Sequence, residues 1–102
     1  MTAPVDNIEQ LHADLCETLE SDELMADRAR FTLIVGRAMG RLCLGDSDVA
    51  DKLPVSRSAV TRWRNGSAAP LPAMRRPVYL LFRRACERVL NLKLERAENP
   101  HA

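Results

Sequence analysis

Apolar residues recur along this chain at three- and four-residue steps, the spacing that places them on one side of a helix. Ile8, Leu11, Leu15 and Leu19 form a narrow leucine stripe from about Asn7 to Leu19, with acids on the opposite face. Ser21 suits the N-cap of a second helix, and Asp22 and Glu23 stand in its first turn, where carboxylates favour the positive end of the dipole. That helix is expected to run unbroken to Leu42 or Cys43. Leu24, Met25, Phe31, Leu33, Ile34, Val35, Ala38, Met39 and Leu42 are too many for one stripe, so it should sit centrally in the core. Gly36 and Gly40, four apart, suggest a close helix crossing. Arg37 and Arg41 share an outer face, where backbone contact with a polyanion and plain solvation remain alternatives.

Residues 46–66 then read as two short helices joined by a tight turn. Asp46 can accept backbone N–H groups at the first helix start, and Val49, Ala50 and Leu53 share its inner side. Pro54 stops that helix, since proline lacks the N–H and disfavours the helical region for Leu53. Ser56 is a good cap for the second helix, and Asn65-Gly66 a good stop. Ala59, Val60 and Trp63 face inward there, leaving Arg57, Ser58, Thr61, Arg62 and Arg64 outside. Beyond Gly66 comes an irregular loop with a helical turn opened by Pro72, then a last helix from about Arg76 to Leu94 with Pro77 in its first turn. Its stripe is Val78, Leu81, Phe82, Ala85, Val89 and Leu92, with Tyr79, Arg83, Arg84 and Arg88 partly outside. Residues 1–6 and the tail are expected to be loose.

The predicted fold is therefore all-α, about five helices in 102 residues. It divides into an acidic amphipathic N-terminal helix (1–20), a main body (21–95) and a flexible tail (96–102). Four aromatic residues suit a core of Leu, Val, Ala and Met. The net charge of +1 hides a split. Residues 1–27 hold eight acids and no Lys or Arg, while the rest holds all fifteen basic residues against six acids, which is −8 against +9. Such asymmetry suggests a nucleic-acid-binding body carrying an acidic extension. No run approaches a membrane span, and the start lacks a secretory pattern, so a cytoplasmic home is expected. Cys16, Cys43 and Cys86 are far apart and, with only His12 and His101, give no metal-ligand spacing; they read as buried thiols. No phosphate loop or catalytic motif occurs, so neither a cofactor nor enzymatic activity is expected.

The outer face of helix 56–65 carries three arginines and two hydroxyls but no carboxylate, whereas a helix built only for solubility normally mixes both signs. Arginine, serine and threonine are side chains that reach base edges and phosphates. The stretch resembles the helix-turn-helix of the lambda-repressor and Cro-like regulators. The likeness runs through Val49-Ala50-Asp51-Lys52-Leu53, Val55-Ser56-Arg57-Ser58, Val60, Arg62-Trp63 and Asn65-Gly66. Two positions depart from the family pattern. Glycine, often at positive φ, is common where Pro54 stands, and glutamate where Arg64 stands. The expected function is sequence-specific binding of double-stranded DNA by a bacterial or phage transcription regulator, most simply a repressor. Arg57, Ser58, Thr61 and Arg62 would face bases. Ser56, Arg64, Arg75 and Arg76 would hold phosphates, as would Asn65, whose placement the resemblance implies. A homodimer is expected, through the leucine stripe or through the last helix; the resemblance favours the last helix. The alternative is an antitoxin or anti-activator that binds a protein partner through the acidic N-terminal helix.

Overall fold

The computed structural model describes residues 7–98, with side chains described as far as Asn91, and every regular element among them is helical. The order is α1 (Ile8–Leu19), α2 (Asp22–Ala26), α3 (Arg28–Arg41), α4 (Asp46–Lys52), α5 (Arg57–Asn65) and α6 (Pro72–Glu98). None of these helices is long and apolar enough to cross a membrane. Asn7 and Ser21 begin α1 and α2 by accepting the Gln10 and Leu24 N–H groups at 2.8 and 3.2 Å. α1 lies along α6, and its Leu11, Leu15 and Leu19 are buried in one core with Val78, Phe82 and Cys86 of α6. The N-terminal helix is thus an integral part of the body rather than an extension to it. Phe31 joins three helices, meeting Trp63 of α5 and Tyr79 of α6 edge-on, with ring centroids 5.9 and 5.6 Å apart. Edge-to-face pairs of this kind add to the burial of the rings themselves.

Several expectations are corrected. The second helix is broken at Asp27, giving six helices in place of about five. Asp27 takes an extended ψ of 108° and its carboxylate accepts the Arg30 N–H at 3.1 Å, so it caps α3. The other half of the break is Arg75. Its Nη1 donates to the Met25 and Ala26 carbonyls at 3.1 and 2.9 Å, and its Nε to Pro70 at 2.9 Å. These α2 carbonyls have no in-helix donor once the helix stops, and the guanidinium supplies one. It lies 5.7 Å from the Phe31 ring centroid and is 6% exposed. Arg75 is therefore a structural staple and not a phosphate contact.

In α3, Phe31, Ile34, Val35, Ala38 and Met39 occupy the inner side, so Leu33 falls opposite them and is 65% exposed. Gly36 and Gly40 share that outer side; a Cβ on either would meet nothing within 4 Å, so no close crossing explains them. The last helix begins at Pro72 and runs through Glu98, past the expected end at Leu94 and into the expected tail. Pro77 sits inside it, with Pro77 and Ala73 both on the exposed side, where water can serve the carbonyl that proline leaves without a donor. Tyr79 is fully buried, its hydroxyl without a partner and its pKa pushed up to about 12 by burial. Of the thiols only Cys86 is buried, and burial raises it to about 11; Cys16 is half-buried and Cys43 exposed. Residues 1–6 and 99–102, expected to be loose, lie outside the described residues.

Two helices close in the same way. After α3, Cys43 takes φ 55° and the Leu44 N–H reaches back to the Met39 carbonyl at 2.9 Å. After α4, Pro54 takes φ 24° and the Val55 N–H reaches Ala50 at 3.4 Å. This closure puts a left-handed residue just past the cap, a place that favours glycine.

One outcome follows from these contacts. Arg75→Met should destabilise by on the order of 2–3 kcal/mol, because it orphans buried carbonyls; denaturant melts with wild-type stability would mean that the staple carries no weight.

Candidate nucleic-acid interface

α5 is fixed from within and at both ends. Ser56 opens it, its Oγ accepting the Ala59 N–H at 3.0 Å, and Val60 and Trp63 anchor it in the core at 0% and 7% exposure. Gly66 closes it at φ 83°, and a Cβ there would meet Thr32 Cγ2 at 3.3 Å, so both the backbone and the space call for glycine. With 3.6 residues per turn, the side chains left outside cover somewhat less than half the circumference. Arg57, Ser58, Arg62, Arg64 and Asn65 are exposed, and Thr61 is half-buried.

These residues do not form one uniform face. Asp46, at the start of α4, accepts Arg64 Nε and Nη2, each at 3.0 Å, in a two-point ion pair. The same carboxylate accepts the Thr61 hydroxyl, which also contacts the Arg57 carbonyl at 3.1 Å. Planar guanidinium against carboxylate is the stronger form of such pairing. Arg64 and Thr61 are consequently held by α4, whereas Arg57, Ser58 and Arg62 have no hydrogen bond or ion pair from their side chains among the described residues. Asn65 accepts the Ser67 N–H at 3.0 Å through its carbonyl oxygen. Arg76, on α6, is exposed apart from a 3.5 Å approach to the Leu19 carbonyl. Arg37 is paired with Asp14 at 2.9 Å.

Asp46 is the residue that sequence reasoning assigned to the wrong task. The start of α4 is served instead by Asp48, which accepts the Gly45 N–H at 2.8 Å, and Asp46 is released to reach α5. Its partners lie 15 and 18 residues away, so no local signal marks them. The Arg64 hydrogen bonds first, and then the Thr61 hydrogen bond, hold the Asp46 carboxyl below the usual carboxylate range. Beside this network Gly36 and Gly40 leave open a groove of about 760 Å³, with Asp46, Arg57 and Arg64 on its wall.

Chemistry elsewhere is sparse. Among the described residues no group of three or more His, Cys, Asp or Glu side chains could hold a metal ion. His12 meets Glu87 at 3.0 Å and Cys16 at 3.8 Å, but both through Nε2. A nucleophile relay needs opposite ring nitrogens for its two partners. Compared with known proteins, the chain matches no family model, no curated protein and no solved structure.

The Asp46 network has a pH signature. A depressed folded-state pKa contributes stability that is present above the unfolded value of about 3.9 and is lost as pH falls through the folded value. In a carboxyl NMR titration Asp46 should titrate below ordinary aspartates. Arg64→Ala should move it back up further than Thr61→Val does, and equal shifts would show that the ion pair is not the main cause.

Proposed function

We propose that this protein binds double-stranded DNA sequence-specifically by laying α5 in the major groove, in a lambda-repressor-like arrangement with α4 and α5 as the helix-turn-helix. Its role is transcriptional regulation in a bacterial or phage cytoplasm, by occupying a promoter. The observation that carries this is the unpaired set Arg57, Ser58 and Arg62 on a helix with no carboxylate of its own, held rigidly by Trp63 and Val60. A two-point arginine contact to guanine is worth ~1–3 kcal/mol of base discrimination. Asn65 and the Ser56 cap region suit phosphates, whereas Arg76 stands on the groove between α4 and α6. Thr61 and Arg64 enter only by leaving Asp46 or by sharing it.

A two-fold dimer belongs to the same proposal, since it sets two reading helices ~34 Å apart over a palindrome. The leucine stripe of α1 is not spare for its seam, because Leu11, Leu15 and Leu19 are buried with Val78 and Phe82 inside one chain; Leu81, Ala85 and Val89 of α6 are only half-buried. The antitoxin or anti-activator alternative loses support for the same reason: the leucine side of α1 is occupied, and Asp14 and Glu17 on its outer side pair with Arg37 and Arg30.

Selection from random duplexes supplies a site on which affinity can be measured against salt. Arg57→Ala and Arg62→Ala should weaken binding with the helical fold intact, and log K should fall with log salt by about 0.9 per phosphate contact. Asp46→Asn should bind more tightly with a steeper salt slope, because it frees Arg64. Wild-type affinity in both arginine variants, or no enriched site, would overturn α5 as the reading helix; one protomer per site in sedimentation would remove the dimer.

A further inference from the structure

We propose that the groove between the end of α4 and the first turns of α6 docks an acidic amphipathic helix of a partner protein. The groove holds about 620 Å³ and is floored by Leu53, Pro54, Met74, Leu80 and Leu81. Met74 is 58% exposed, and Leu71, just before α6, is 75% exposed. Two of the three large apolar side chains most exposed among the described residues thus stand at this one end of α6. Lys52, Arg76 and Arg84 line the same groove. No carboxylate forms an ion pair with any of these three among the described residues. Elsewhere Arg30 pairs with Glu17, Arg37 with Asp14 and Arg64 with Asp46. The nearby Glu87 is engaged with His12 and, at 3.8 Å, with Arg83.

An apolar floor with a one-signed basic rim fits a helix that carries leucine-type anchors one turn apart and Asp or Glu beside them. A second copy of this chain fits poorly. Two-fold pairing on this face would set Lys52, Arg76 and Arg84 against their own equivalents. The acidic helix of this chain, α1, has already buried its leucine side. DNA would satisfy the cations but leave Met74 and Leu81 against sugar and phosphate. This surface does not depend on α5 reading DNA.

The test uses the full chain, ¹⁵N-labelled, with a synthetic helical peptide bearing leucines at i, i+4 and i+7 and glutamates flanking them. Shift perturbations should gather at Leu53, Met74 and Leu81, and the affinity should fall with salt. Met74→Asp should abolish binding, and Lys52→Glu with Arg84→Glu should weaken it about tenfold or more. All three positions are exposed, and circular dichroism checks that the variants fold. A peptide with Gln in place of Glu should bind at least about tenfold more weakly. Equal binding of the Gln peptide, perturbations centred on α5, or no binding at the highest soluble peptide concentration would each overturn the proposal. So would a wild-type dimer that Met74→Asp dissociates, which would make the groove a self-interface. Loss of DNA affinity in the Lys52→Glu, Arg84→Glu variant, with peptide affinity unchanged, would make it a phosphate surface instead.

Discussion

The architecture depends on a buried guanidinium. Arg75 enters from the first turn of α6 and places its donors where α2 ends, on carbonyls that a continuous helix would have used itself. That lets the chain stop at Ala26, turn at Asp27 and restart as α3 in a new direction. The restart points Phe31 at Trp63 and Tyr79, so the aromatic contacts that fix α5 and α6 stand on the same break. A charge in this position is tolerable because three carbonyls and an aromatic face replace its water. It also has a functional consequence: an arginine expected at the surface is withdrawn from any interface.

Asp46 performs a comparable service on the outside. It ties α4 to α5 through a carboxylate that reaches Arg64 and Thr61. The tie orients α5 without burying a charge deeply, which keeps desolvation small. It also subtracts from the positive character of the face. The helix has three arginines in sequence, but in space one of them is neutralised, and the hydroxyl between them is occupied. The exposed cations are Arg57 at the first turn and Arg62 further along, with Ser58 between them.

Charge is likewise redistributed by packing across the whole chain. The −8 and +9 halves of the sequence do not stay apart. α1 lies against α3 and α6, and two of its acids, Glu17 and Asp14, meet Arg30 and Arg37 from the basic half. Arg57 and Arg62 on α5 and Lys52, Arg76 and Arg84 around the α4–α6 groove are among the cations that no carboxylate pairs within the described residues.

Helix existence was legible in the sequence from a stripe alone for α1 and α4, and from a stripe with its cap for α5. Periodicity and capping act over a few residues, so they survive without knowledge of neighbours. The inward positions of Val60 and Trp63 and the stop at Gly66 belong to that class. The break at Asp27 did not, because Asp27 is an adequate interior residue until Arg75, about fifty positions away, takes the carbonyls that precede it. The sequence also could not tell that the leucine stripe of α1 would be buried with Val78 and Phe82 of the same chain, nor that Pro77 would be carried inside one long helix. Arg57, Ser58 and Arg62 could be picked out from one helix alone. That Thr61 and Arg64 are held by Asp46 is a contact between helices, and only the packing of α4 on α5 decides it.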